Sequence, residues 1–477
     1  MRGVTQIGLI VAAASAVAAA SLAQSSDQTP PVMPRIQQTQ LPAAVTLPGP
    51  PQADPDTPRA PLTADEAARI ALRRQPTVAG AQSGVAAAQG RTEQARSGLL
   101  PSVSVGAGYS YVQQFLTQGG VSAPAAASTG LTSGYQATAT LRQLLFDFDR
   151  TRAAVRQAAV QEKAAGANLT KVQADLVLQV KQAFYAFAQN TRLVAVNEAN
   201  VRNQQAHLDL AEARLKSGLG LPVDVVRAQT AVSDAILNLT LARNNAVVSQ
   251  VLLAQQMGID PRTPLAAAES GEPDSVPGDI QGLVAQAERK RPELAQALAL
   301  LESARLGVRI AATQNVPSIA ATFGLASRGS DFPPGNDGWT VGATLQWTPF
   351  DSGLTSGRVR EARANVDAAA AQVQTTRLAI VSDVSQAYLN LKTAEQRIAT
   401  AASEVANAQE SVRLAEGRYR TGVGTFIDVI DAQSALLTAQ TNQVNARSSL
   451  DQARAALAHA IGAGLPPASA EPRNSAR

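Results

Sequence analysis

The 477-residue chain contains no cysteine. That excludes a disulfide framework, a thiolate nucleophile and a cysteine-based zinc site, and no lipid anchor on an N-terminal cysteine is expected. Histidine is nearly absent too. His207 and His459 are too few and too far apart in sequence to suggest a metal site. No Ser/His/Asp set or acid–base pair appears, so neither a cofactor, a metal nor an enzymatic activity is expected. Aromatic residues are 4% of the chain and charged residues 16%, whereas a compact globule of this size relies on large side chains. Basic residues exceed acidic ones by only 41 to 37. No dense basic run occurs, so nothing points to nucleic acid. After residue 23 no stretch approaches the roughly 20 apolar residues that a membrane-spanning helix requires.

What the chain does have is alanine, 94 residues of it, a composition suited to long, closely packed helices. Residues 1–23 read as a secretory signal peptide, with Arg2, an apolar run and a small-x-small site at Ser21-Leu22-Ala23. Residues 24–61 form a proline-rich linker, and 463–477 a disordered tail. Between them lie two copies of one unit. Gln182-Ala183-Phe184-Tyr185 returns as Gln386-Ala387-Tyr388-Leu389, Phe146-Asp147 as Phe350-Asp351, and Asp224-Val225 as Asp428-Val429, always at an offset of 204. Upstream, Leu100-Pro101 matches Val316-Pro317 at an offset of 216, which places 12 extra residues in a first-copy loop between Pro101 and Leu145.

Each copy, 62–258 and 279–462, reads as helix, strand, strand, long helix, turn, helix. Thr63 and Glu66 have the spacing of a capping box, opening a helix expected to run to about Ser97. The strands, 101–112 and 135–146, then 317–328 and 339–349, alternate with period two. Val103, Val105, Tyr109 and Tyr111 oppose Ser102, Ser104 and Ser110, and Trp339, Val341, Leu345 and Trp347 oppose Thr340, Thr344 and Gln346. Ten-residue segments with one apolar and one small, polar face suit a membrane β-barrel with a wet lumen, but equally two hairpins on a soluble core. The long helices, 148–215 and 353–419, separate these readings. Neither contains proline, and each would extend about 100 Å. The second keeps a heptad through Ile380, Val384, Ala387, Leu391, Ala394, Ile398, Ala401, Val405, Ala408, Val412, Ala415 and Tyr419, which implies a left-handed supercoil. The first keeps the register through Leu176, Val180, Ala183, Phe187, Val194, Val201, Leu208, Ala211 and Leu215, interrupted by Asn190, Asn197 and Gln204. Shorter helices return over 223–257 and 427–461.

Four strands cannot close a barrel, and open sheet edges are excluded from lipid. Two copies would supply eight strands and three would supply twelve. A small, polar lumen face favours twelve, which leave a pore. The expected fold is therefore a mixed α and β membrane protein: a homotrimer whose twelve-strand outer-membrane β-barrel, four strands per chain, continues as a long periplasmic α-helical coiled-coil barrel.

Two elements carry a more specific signal. One is the strand-to-helix segment Leu144-Leu145-Phe146-Asp147, with Thr348-Pro349-Phe350-Asp351-Ser352-Gly353. The other is the helix-tip segment Tyr419-Arg420-Thr421-Gly422-Val423-Gly424-Thr425-Phe426-Ile427-Asp428-Val429-Ile430-Asp431, with Leu215-Lys216-Ser217-Gly218-Leu219-Gly220-Leu221-Pro222-Val223-Asp224. Over residues 62–461 the chain resembles the TolC family of outer-membrane efflux proteins. The resemblance implies the outer-membrane exit duct of a tripartite efflux pump or type I secretion system. It would sit in outer-membrane lipid and dock on a periplasmic adaptor and an inner-membrane transporter of RND or ABC type. The rival reading, a periplasmic coiled-coil adaptor, would carry one hairpin flanked by β-domains rather than two equal repeats.

By the same resemblance the periplasmic tips close as an iris. Asp428 and Asp431 match the aspartates of its constriction, Tyr419 its gate tyrosine and Asp224 that tyrosine's partner. Gly424 departs from the pattern, standing where an arginine of the gating network is expected, so Arg420 or Arg227 is the candidate substitute. His207 stands where a glutamine takes part in the same links. The tip residues Gly218, Leu219, Gly220, Leu221, Gly422, Val423, Gly424 and Thr425 are the implied adaptor contact, and their glycines permit a tight turn in any case. Asp224 and Asp428 also suit helix N-termini through the helix dipole. Ringed carboxylates would favour cations, and their crowding would raise some pKa values.

Overall fold

The computed structural model describes residues 61–113, 131–268 and 279–464, all within the unit Asp56–Arg477. The expected signal peptide, most of the linker, the first-copy loop around 114–130 and nearly all of the tail lie outside the described residues. In chain order the elements are α1 (Ala64–Arg74), α2 (Pro76–Ser97), β1 (Ser102–Gln113), β2 (Leu131–Phe146), α3 (Arg150–Lys216), α4 (Pro222–Met257), α5 (Ile280–Lys290), α6 (Pro292–Ala312), β3 (Ser318–Gly329), β4 (Asn336–Gln346), α7 (Leu354–Arg420) and α8 (Phe426–Ala460).

The segment from Thr63 to Ser97, read as one helix, is two. Thr63 and Glu66 form the capping box that starts α1. Gln75 is then extended, with ψ 122°, because the proline ring at 76 disfavours a helical residue before it. Arg291 before Pro292 repeats the break, with ψ 126°.

The four strands form one antiparallel sheet in the order β1-β2-β3-β4. The register aligns Val103, Leu141, Phe323 and Val341 in one row, and Ser102, Arg142, Thr322 and Gly342 in the next. One face is therefore apolar across all four strands and the other small and polar. Among the described residues no element covers the apolar face: Val105 is 80% exposed and Val341 72%. The outer edges of β1 and β4 pair with no other strand among the described residues. β4 stops at Gln346 rather than 349, since Pro349 has no N–H to extend the ladder.

β2 and β4 each continue directly into a long helix. Asp147 turns back to accept from the Thr151 N–H at 2.7 Å, and Asp351 accepts from the Thr355 N–H at 2.7 Å. Between carboxylate and helix lie two left-handed residues, Phe148 and Asp149 in one copy, Ser352 and Gly353 in the other. These turns delay α3 to Arg150 and α7 to Leu354. Packing runs α2 to α3, α3 to α6 and α6 to α7, so the helix layer repeats the strand order and is open at the same two sides. At 67 residues each, α3 and α7 extend about 100 Å.

Farther along, α4 packs on α3, α8 on α7, and α8 on α3. The short helices α1 and α5 dock beside α3 and α7, closing two apolar clusters around Phe184, Leu253 and Met257, and around Ile380, Val384 and Leu457. The α7 heptad is the buried line of that helix, with Ile398 and Ala415 half-buried. On α3 the register differs from the one read in sequence. Beyond Phe187 its buried line passes through Asn200, Gln204, His207 and Ala211, while Val194, Val201 and Leu208 are only half-buried. The cause is that α3 faces two partners at once, α4 and α8, so its buried stripe is not that of a two-helix seam.

Candidate functional site: the paired helix tips

Both long helices end in the same hydrogen-bonded turn. In α3 the Gly218 N–H reaches the Leu215 carbonyl at 3.0 Å and the Leu219 N–H reaches that of Arg214 at 2.9 Å. In α7 the Gly422 N–H reaches the Tyr419 carbonyl at 3.1 Å and the Val423 N–H reaches that of Arg418 at 3.0 Å. This is a Schellman closure, and its left-handed position suits glycine: φ is 76° at Gly218 and 80° at Gly422. The second glycine of each turn answers to crowding. A Cβ on Gly220 would sit 2.8 Å from the Leu215 nitrogen, and one on Gly424 would sit 2.9 Å from the Arg418 Cβ. An arginine at 424 is thus incompatible with this turn as it stands. Leu219 and Val423, at the apices, are 73% and 74% exposed; Leu221 is exposed as well.

The two copies then diverge at the start of the returning helix. Thr425 caps α8: its hydroxyl accepts from the Asp428 N–H at 3.3 Å, and the Asp428 carboxylate accepts from the Thr425 N–H at 3.0 Å. That backbone bond, with the Thr425 hydroxyl, holds the Asp428 carboxyl below the ordinary range. In α4 the capping position is Leu221, which has no side-chain acceptor. Asp224 is therefore not held in a box, and it accepts from the Tyr419 hydroxyl at 3.3 Å.

Tyr419 is only 4% exposed. It packs against Phe426, with ring centroids 5.3 Å apart, in a cluster with Ala211, Ala228 and Val429. Burial and the Asp224 charge raise its phenol pKa. Over its ring, at 4.7 Å, lies the Arg214 guanidinium. Arg214 also donates to the carbonyls of Tyr419 at 2.7 Å, Arg420 at 3.0 Å and Leu219 at 3.3 Å. A cation is thereby placed on the last carbonyls of α7, where the helix leaves acceptors unpaired. The sequence reading did not single out Arg214. The repeat could have found it, since Arg214 and Arg418 are counterparts at the offset of 204.

A second group lies deeper. Gln433 on α8 donates to His207 Nε2 at 2.9 Å, with the imidazole assigned neutral, and Glu416 on α7 is 3.7 Å from the same nitrogen. Burial lowers the His207 pKa, opposed by Glu416 and reinforced by Arg420. Arg420 pairs with Glu416 at 3.3 Å. Arg227 and Asp431 occupy equivalent exposed positions, and neither makes a side-chain hydrogen bond or ion pair among the described residues. The structure thus brings together Tyr419 with Asp224, and His207 with Glu416 and Arg420. Asp428 and Asp431 line the exposed start of α8 within the single chain. Among the described residues no group of acidic or histidine side chains could hold a metal.

The profile of the family described as outer membrane efflux protein matches residues 67–259 and 283–463. The chain is 27% identical over 374 residues to protein CyaE of Bordetella pertussis, covering 77% of this chain and 75% of that one. It is 26% identical over 322 residues to outer membrane protein TolC of Escherichia coli K12, covering 64% of this chain and 62% of that one. Its fold matches the crystal structure of the outer membrane protein VceC from Vibrio cholerae with a TM-score of 0.72 at 22% identity, over 84% of this chain and 97% of that one.

Proposed function

The chain belongs to the outer membrane efflux protein family, and from that premise we propose that it is the outer-membrane exit duct of a tripartite efflux or secretion system. The observation that carries this reading is the pair of open edges. β1 and β4 end the sheet, α2 and α7 end the helix layer in the same order, and the apolar sheet face is bare. A bare apolar face suits lipid, and unpaired strand edges cannot remain in lipid. One rotation that joins β4 to the next copy's β1 also joins α7 to the next copy's α2. Three copies give twelve strands around a polar lumen continued by twelve helices. The polar row that includes Ser102, Arg142 and Thr322 lines the pore, and the apolar row faces the outer membrane.

At the far end, the helix tips close the tube and present Leu219, Leu221 and Val423 to a periplasmic adaptor, which links the duct to an inner-membrane transporter. Asp428 and Asp431, three of each per trimer, form the constriction. Two experiments test this. Membrane fractionation should recover the protein with the outer membrane, released only by detergent; recovery as a soluble monomer would refute the duct. In planar bilayers, Asp428→Ala with Asp431→Ala should reduce block of the current by multivalent cations; unchanged block would remove both residues from the constriction.

A further inference from the structure

Charge is nearly absent from the sheet. The four strands hold three charged residues, Arg142, Arg328 and Asp337. The register sorts them by face. Arg142 shares its row with Ser102, Thr322 and Gly342, and Arg328 stands between Gln136 and Asn336 on that same small, polar face. Asp337 stands opposite Ser327, four residues before Val341, and so belongs to the apolar face. The polar face of the strands therefore carries two cations and no carboxylate. Both arginines are exposed, and among the described residues neither side chain makes a hydrogen bond or an ion pair. The carboxylates where strands meet helices are engaged elsewhere. Asp147 and Asp351 accept from helix N–H groups, and Asp149 pairs with Arg156 and Arg309.

Resting on the trimeric reading above, we infer that the barrel lumen is an anion filter built from two rings of three arginines. The ligand class it favours is a multivalent anion, one carrying phosphate or several carboxylates. Each chain supplies one arginine to each ring, so the filter exists only in the assembly. Twelve strands about 4.8 Å apart and tilted by about 40° enclose a radius of about 12 Å. A guanidinium pointing inward then lies within about one Debye length of the axis, about 8 Å at 0.15 M salt, so a solute anywhere in the lumen feels it. Arg142 lies six residues along β2 from Gln136, the partner of Arg328, which separates the rings by about 20 Å along the strand. Between them Thr138, Thr140, Gly324 and Thr340 bring no opposite charge. Rings of arginine favour anions in pores, as rings of carboxylates favour cations.

The two rings are unequal. Asp331 lies in the hairpin that follows Arg328, and Asp337 near the start of the next strand, so acidic charge offsets the ring at that end. Arg142, four residues before the end of β2, has no acidic residue on its own strand or on either neighbouring strand. The Arg142 ring, on the side where the helices begin, is therefore the stronger.

The cysteine-free chain gives the test. Thr140→Cys places one thiol on the polar face, two residues from Arg142. Outer membranes are treated at low ionic strength with an anionic and a cationic methanethiosulfonate in parallel. Adding Arg142→Gln should lower the ratio of anionic to cationic rate about threefold, and Arg328→Gln should lower it less. Both differences should vanish at about 1 M salt, where the Debye length is about 3 Å. A ratio unchanged by Arg142→Gln, or a thiol that neither reagent reaches, overturns the filter. Light scattering in detergent reports the assembly separately. Three chains with an unchanged ratio overturn the filter and leave the trimer standing, whereas a monomer overturns both. In planar bilayers, tripolyphosphate added on the barrel side should block the current, and Arg142→Gln should weaken that block about tenfold. Equal block in Arg142→Gln would refute the inference.

Discussion

Replacing Arg214 with alanine removes four contacts at once: three hydrogen bonds to carbonyls, at 2.7, 3.0 and 3.3 Å, and the stacking on Tyr419 at 4.7 Å. A hydrogen bond from a charged donor contributes roughly 1.5–3 kcal/mol when buried. Arg214 is half-buried, so solvent screening reduces each to well under 1 kcal/mol. The cation–π contact adds about 0.5–1 kcal/mol. The bonds to Tyr419 and Arg420 and the stacking span the two tips, whereas the Leu219 bond lies within the first; the spanning contacts together give about 2 kcal/mol favouring the docked tips, or roughly 30-fold in the equilibrium between docked and separated states. Tyr419→Phe removes one long bond, about 1 kcal/mol, or roughly fivefold. The assay is amide hydrogen exchange in detergent, followed on peptides covering 211–220 and 415–424, with peptides around Val384 as the internal standard. Local opening sets that exchange. Arg214→Ala should accelerate the tip peptides by about 30-fold and Tyr419→Phe by about fivefold, leaving the standard unchanged. Tip exchange that Arg214→Ala does not alter, or that Tyr419→Phe accelerates more, would refute the assignment of Arg214 as the main tie between the tips.

Gly424→Arg should not recreate a gating network. The crowding at 2.9 Å to the Arg418 Cβ should lower the thermal midpoint, at a cost of about 1–3 kcal/mol, while Gly424→Ser should show a smaller loss of the same kind. His207 is neutral and buried, with its pKa depressed. The unfolded chain takes up that proton first, so stability should fall as pH drops below about 6.5 and on through the depressed folded value. His207→Gln should flatten this acid limb of the thermal midpoint, and an unchanged limb would contradict the account. Asp451 on α8 is 3% exposed, and its pKa is raised because burial outweighs the attraction of Arg447, Arg192 and Arg454. Asp451→Asn should therefore raise the thermal midpoint at neutral pH, with the gain fading as pH falls through the raised folded pKa; a loss at neutral pH would show that the charge is well paired.

Much of the architecture was readable because it rests on local periodicity. The alternation of Val103, Val105 and Tyr109 with serine and glycine follows from the strand geometry itself, and the sheet aligns those residues row by row. The α7 line from Ile380 to Tyr419 could be counted because α7 buries one stripe. On α3 the same counting drifted, since Asn200 and His207 are buried off the counted line, His207 against Gln433 of α8, a contact that no one-dimensional period reveals. The break at Pro76 was available in the residue itself, because a proline disfavours a helical residue before it. At the tips, Tyr419 and Asp224 were named through the family resemblance, and their bond depends on an absence, the missing capping side chain at Leu221. Arg214 was invisible to motif reading because its partners are backbone carbonyls some 205 residues away.

The central claim is that the free edges of β1 and β4 are closed by other copies of this chain. Cysteines placed at Ser104 and Thr344, one on each edge strand, test it directly in outer membranes. Oxidation should convert the chain into linked dimers and trimers in SDS, with the ladder ending at three. A product that remains monomeric, or a ladder that stops at two, would contradict the twelve-strand duct.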